Sequence, residues 1–136
     1  MPRVYLDSCI VIYLIQAERP IRESIRRALL PANAPAPTAC FSDLTRLECR
    51  VWPLRRGATE LLDRFDRFFA STDLLKLQLT DAVYDLAARL RAKHSVKTPD
   101  ALHLAAAIHW GCDEVWTNDA RLPSGLLDRI KVRILP

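Results

Sequence analysis

The stretch that decides the fold is Thr98-Pro99-Asp100-Ala101-Leu102-His103-Leu104-Ala105-Ala106-Ala107-Ile108-His109-Trp110-Gly111, followed closely by Glu114-Val115-Trp116-Thr117-Asn118-Asp119. Thr98 is a cap-type residue, Pro99 suits the first helical position, and Asp100 places a negative charge in the first turn. The pattern predicts a helix to about Trp110, stopped by Gly111 at the position after the helix. So much alanine and so few polar side chains mean that this helix is buried nearly all round. Glu114 to Thr117 then reads as a strand with an acid just past its end. A buried helix feeding a strand in this way is one step of a repeating βα chain.

The same alternation extends outward in both directions. Arg3 to Leu6 is a short β-type run ending at Asp7, and Ser8 to Gln16 reads as a helix. A second helix follows Pro20 through Leu30, and the prolines between residues 31 and 37 forbid regular structure there. Thr38 to Phe41 is a strand, and Ser42 caps a helix that runs through Val51 and is stopped by Pro53. Gly57 to Ala70 is an amphipathic helix, with Leu61, Leu62, Phe65, Phe68 and Phe69 near helical spacing. Leu74 to Leu79 is a strand, Thr80 caps a helix from Asp81 to about His94, and Ile130 to Leu135 is the last strand. Strands alternating with helices imply a parallel sheet covered on both faces. No repeat or linker divides the 136 residues, so residues 1–136 are read as a single domain.

Composition narrows the chemistry. The chain is 50% hydrophobic with a net charge of +4, which fits a folded and mildly basic protein. Val4 to Ile15 is apolar but too short to span a bilayer and carries Asp7, so no membrane role and a cytoplasmic location are expected. Cys9, Cys40, Cys49 and Cys112 form no C-x-x-C pair and sit among apolar residues; they read as reduced, small buried side chains, with zinc or a disulfide as the alternative. Three glycines exclude a phosphate-binding P-loop or a dinucleotide fingerprint, and no G-x-S-x-G elbow is present. His103 and His109, six apart, point about 240° around a helix from each other and cannot share a ligand; both read as packing or edge residues, and His94 as a helix-end residue.

What remains is a set of carboxylates. Asp7 and Asp119 lie just past the C-terminal ends of predicted strands, the edge at which open α/β sheets bind ligands. Each alone also reads as a turn or cap acid. Glu48 shares the predicted inward face of Leu44, Leu47 and Val51, where a carboxylate is costly unless it is paired or on a metal. A partner such as Arg46 or Arg50 is the alternative. Asp100 opens the buried helix, where the helix dipole favours an acid anyway. Converging in one cleft, these acids would raise one another's pKa values unless a cation neutralised them. All-oxygen ligation selects a hard ion, Mg²⁺ or Mn²⁺. With four acids withdrawn into a cleft, the remaining surface is basic, as suits an enzyme acting on a polyanion. Arg46, Arg50, Arg55 and Arg56 are candidates to hold phosphates, or else an ordinary solvated face.

These motifs together resemble the acidic motifs of PIN-domain ribonucleases: Val4-Tyr5-Leu6-Asp7-Ser8, Leu44-Thr45-Arg46-Leu47-Glu48, Thr98 to Ala107, and Thr117-Asn118-Asp119. Length and order are most similar to the VapC-type toxins of type II toxin–antitoxin pairs, over about residues 4 to 134. The resemblance implies a Rossmann-like three-layer α/β/α fold with a parallel, five-stranded sheet. It implies Mg²⁺- or Mn²⁺-dependent cleavage of RNA, inhibition by a cognate antitoxin, and homodimers built on helices such as 42–51 and 57–70. By motif, Asp7 and Asp100 would be direct metal ligands, Glu48 and Asp119 would complete the acidic site, and Thr117 would orient the last acid. Ser8 matches a common hydroxyl; Cys9 departs from the polar residue often found there and receives no role. Two other readings stand beside this one: a PIN-type RNA-processing nuclease without an antitoxin, and a non-catalytic module binding RNA or protein. A phosphoacceptor receiver domain wants adjacent acids after its first strand and another Asp at a middle strand end, and this chain has neither.

Overall fold

The computed structural model describes residues 2–121 and 130–136. Its sheet contains β1 (Arg3–Leu6), β2 (Thr38–Phe41), β3 (Leu74–Lys76), β4 (Glu114–Thr117) and β5 (Lys131–Ile134). The strand order is β3-β2-β1-β4-β5 and every pairing is parallel. The helices are α1 (Ser8–Gln16), α2 (Arg19–Leu29), α3 (Asp43–Arg56), α4 (Thr59–Phe69), α5 (Asp81–His94) and α6 (Thr98–His109). The chain builds outward from β1 through β2 to β3, then returns to lay β4 on the other side of β1. The order therefore reverses between β1 and β4, and the crevice beyond their C-terminal ends is where such sheets bind ligands.

Side chains alternate across the sheet and feed two cores. Tyr5, Cys40, Val115 and Val132 face one side, against α5 and α6. Val4, Leu6, Phe41 and Trp116 face the other, against α1, α2 and α4. This is the three-layer arrangement that the sequence predicted. The alanines of α6 are fully buried, and Gly111, at φ +75°, ends the helix through Gly111 N to Ile108 O and Cys112 N to Ala107 O bonds. Cys40, Cys49 and Cys112 are buried, and all four thiols are free. Among the described residues no helix is long and apolar enough to cross a membrane.

Four local expectations need correction. Pro53 does not stop α3, which continues through Arg56 to Gly57 at φ +64°. The proline forgoes one helical hydrogen bond but is buried on the inward face, and packing outweighs the loss. Thr98 is already helical, with Lys97 in the cap position. The third strand is shorter than 74–79, ending at Lys76. Most consequentially, the inward face of α3 is Thr45, Cys49 and Pro53. Leu47, Val51 and Leu54 face out, 57%, 41% and 55% exposed. Small residues belong inside because α3 approaches α1 closely there, with Cys49 Sγ 3.7 Å from the Ser8 carbonyl.

Candidate metal centre

Asp7 sits where β1 turns into α1. Its N–H donates to the Trp116 carbonyl at 3.0 Å, continuing the ladder, while its own carbonyl accepts from Ile10 N at 3.0 Å and starts the helix. The side chain is the N-cap, and the positive end of the helix dipole favours its charge. Oδ1 accepts from Ser8 N at 2.7 Å, and Oδ2 accepts from the Thr117 hydroxyl at 2.7 Å. The Cys9 thiol lies 3.6 Å from Oδ2; burial and the Asp7 charge push its pKa up to about 11, so it stays a thiol and a weak donor. Thr117 also accepts from the backbone N–H of Asp119 at 3.1 Å. Its hydroxyl thus orients the first acid rather than the carboxylate of the last one.

Glu48 reaches the same place from α3. It lies beside the buried Thr45 and Cys49, not on a leucine stripe, and its side chain is 31% exposed. Oε1 lies 2.6 Å from Nε2 of His103, which is also 3.6 Å from Asp7 Oδ1. Ligand atoms of Asp7, Glu48 and His103 all fall within 4.8 Å of one another. His103 is therefore part of this cluster, contrary to its reading as a packing residue. His103 cannot meet His109 across their shared helix, but its partners come from β1 and α3. One signal was available: His103 stands three residues after Asp100, on the same face of α6.

Asp100 occupies the first turn of α6. Burial raises its pKa, and the charges of Asp7, Asp119 and Glu48 raise it further, with His103 opposing them. Asp100 thus feels the other three acids, as expected of convergence on one crevice. Asp119 behaves differently. Hydrogen bonds from Arg121 lower its pKa, with Arg121 Nε 3.0 Å and Arg121 N 2.9 Å from Oδ1. The expectation that repulsion raises every acid of the set fails at Asp119, because a local arginine neutralises it first. Three of the arginines proposed for phosphate are also engaged elsewhere. Arg50 Nε is 2.9 Å and Arg46 3.8 Å from Asp66 Oδ1 on α4, while Arg56 lies over the Trp52 ring at 5.4 Å.

The donor set fits a hard divalent cation. Glu48 is an acceptor when ionised, so the 2.6 Å contact requires a hydrogen on His103 Nε2. That nitrogen is then unavailable as a ligand, and the open donors are carboxylate oxygens of Asp7, Glu48 and Asp100. Magnesium and manganese take such oxygen sets; zinc prefers nitrogen and sulfur.

The sequence signature of the PIN domain matches residues 4–124, and the chain belongs to the PIN-domain family. Solved structures of the same fold include toxin–antitoxin proteins. VapBC2 of Rickettsia felis, bound to a promoter DNA fragment, is similar at a TM-score of 0.76 and 15% identity, covering 98% of this chain and 99% of that one. A sarcin–ricin-loop-cleaving VapC toxin of Mycobacterium tuberculosis gives 0.72 and 17%, covering 94% and 98%. A toxin–antitoxin complex of Klebsiella pneumoniae gives 0.70 and 21%, covering 90% and 92%. No curated protein matches the chain.

Proposed function

We propose that residues 1–136 form one PIN nuclease domain that hydrolyses RNA internally with Mg²⁺ or Mn²⁺, and that it is the toxin of a cytoplasmic toxin–antitoxin pair. The observation that carries this reading is the meeting of Asp7 and Glu48 within 4.8 Å at the β1/β4 crevice, with Asp100 in electrostatic reach of both. A site of clustered acids suits a metal-dependent nuclease, whereas a plain binding module for a polyanion gains nothing from it. The fold neighbours are VapC-type proteins, which supports the toxin assignment and a cognate antitoxin as partner.

In this reading Asp7 and Asp100 are direct ligands, Glu48 and Asp119 complete the acidic site, and Thr117 positions Asp7. A bound Mg²⁺ or Mn²⁺ supplies charge neutralisation for the scissile phosphate and a water acidic enough to attack phosphorus. Thr117 and Ser8 keep both Asp7 oxygens in fixed directions, so little reorganisation accompanies ion binding. Burial and the neighbouring acids raise the Asp100 pKa, and a bound cation would oppose that shift. Glu48 uses Oε1 on His103; Oε2 is the acceptor we assign to the proton of the attacking water. The attack is in line, and the 3′-oxygen leaves. Self-association would use the outward leucines of α3, Leu47 and Leu54.

Induced expression of wild type, Asp7→Asn and Asp100→Asn, with sequencing of RNA ends, tests the reading. Wild type should arrest growth and generate new RNA ends that both variants and excess EDTA abolish. Cleavage persisting undiminished in both variants would overturn the site, and cleavage in EDTA would overturn the metal.

A further inference from the structure

We propose that His103 is a positioning residue for the metal centre, holding Glu48 turned toward Asp7 through its Nε2–H, with the Tyr5 hydroxyl anchoring the other ring nitrogen. The inference rests on the reading of Asp7 and Glu48 as metal ligands.

The imidazole is 3% exposed and both ring nitrogens are engaged, Nδ1 with the Tyr5 hydroxyl and Nε2 with Glu48, each at 2.6 Å. Tyr5 is itself fully buried, and burial drives its phenol pKa upward, so it remains an O–H group. Its oxygen lies 2.7 Å from Ser42 Oγ and 3.2 Å from Thr45 Oγ1. The carboxylate of Glu48 demands a hydrogen on Nε2, whichever part Nδ1 takes toward the Tyr5 hydroxyl. The Tyr5 hydroxyl pairs with Nδ1 on one side and with the hydroxyls of Ser42 and Thr45 on the other. No member of this buried chain is left unpaired, which is the condition under which such a network rigidifies its surroundings.

The chain also joins the elements that carry the acids. Tyr5 lies two residues before Asp7, Ser42 caps α3 and Thr45 lies one turn before Glu48 on it, and His103 lies one turn after Asp100. A glutamate has rotamer freedom to lose, and Glu48 is partly exposed. Without the Nε2–H bond its carboxylate is free to swing into solvent.

Two measurements on the full chain test this without substrate. In metal-free ¹⁵N-labelled wild type, imidazole NMR should find His103 protonated at Nε2; a ring bare at Nε2 overturns the proposal. Manganese binding followed by electron paramagnetic resonance then compares variants whose folding is checked by circular dichroism. His103→Gln places an amide N–H near the Nε2 position, while His103→Asn ends near Nδ1 and cannot reach Glu48. His103→Asn should bind Mn²⁺ about tenfold or more weakly, and His103→Gln within about threefold of wild type. Equal affinity in His103→Asn, or equal loss in both variants, overturns the positioning role. Wild type that binds Mn²⁺ no better than Asp7→Asn overturns the metal centre itself. A failure of His103 alone differs, because there Asp7→Asn is weak and His103→Asn is not. Should His103→Asn not fold, the NMR result decides.

Discussion

Asp7 and Asp119 both follow strands flanking the switch in strand order, yet the fold treats them in opposite ways. Asp7 is held by Ser8 and Thr117 and is 13% exposed. Asp119 lies on a loop, and among the described residues its side chain is held by Arg121, two residues along the chain, whose own side chain is 84% exposed. Half of the site is organised by tertiary structure and half by a local ion pair in solvent. Pre-organised charge works at the moment of reaction without rearrangement, whereas an exposed pair contributes little and exchanges readily with water or a phosphate. Proximity in sequence to a strand end therefore does not make two acids equivalent.

The sharpest test of the contrast is Asp7→Asn, which should lower RNA cleavage by about a thousandfold or more, while Asp119→Asn costs measurably less. Equal losses measured on a defined RNA hairpin would abolish the distinction. Thr117→Val removes the hydroxyl but keeps the shape, and should weaken Mn²⁺ binding about 10- to 100-fold. An unchanged Mn²⁺ titration would show that Asp7 does not depend on that donor.

Asp100 connects the two halves and should respond oppositely with and without metal. Its folded pKa is raised, so its stability contribution is fully present below the unfolded carboxylate value and is lost as pH rises through the folded value. Asp100→Asn should therefore raise the Tm of the metal-free protein near neutral pH by about a few degrees, and abolish the further rise that Mn²⁺ gives wild type. In wild type, Mn²⁺ affinity should fall on acidification above the ordinary aspartate range. A metal-free Tm that drops in Asp100→Asn would contradict this account. The smallest effect belongs to Arg121→Ala, expected to change Mn²⁺ affinity by about threefold or less, with a change that fades in high salt.

Much of this was legible in the residues. The alternation of strand and helix patterns, and the buried alanine helix ending at Gly111, predicted the parallel three-layer fold that the structure has. The PIN resemblance read from the four acidic motifs agrees with the family match. The leucine stripe that predicts an inward Glu48 is not the inner face of α3, since Leu47 and Val51 face solvent. A hydrophobic period cannot show that a helix packs through Thr45 and Cys49 when close approach and hydroxyl pairing decide its inner face. His103 escaped for a related reason. Its role depends on Tyr5 and Glu48, 98 and 55 positions away, and pairings at such distances are set by topology rather than by local spacing. The Asp119–Arg121 pair is only two residues apart, but nothing in Asp-Ala-Arg states which of several neighbours the arginine will choose.

The strand order β3-β2-β1-β4-β5 carries a consequence in time as well as in space. As the chain emerges during synthesis, β1, β2 and β3 come first, and Asp7 and Glu48 with them. Asp100, His103, Thr117 and Asp119 come later, with α6 and β4, and β1 remains an open edge until β4 lies beside it. The four acids therefore cannot meet until α6 and β4 have been made. If the proposed RNA cleavage holds, assembly of the site after β1, β2 and β3 would keep chains that lack α6 and β4 harmless to the message that encodes them.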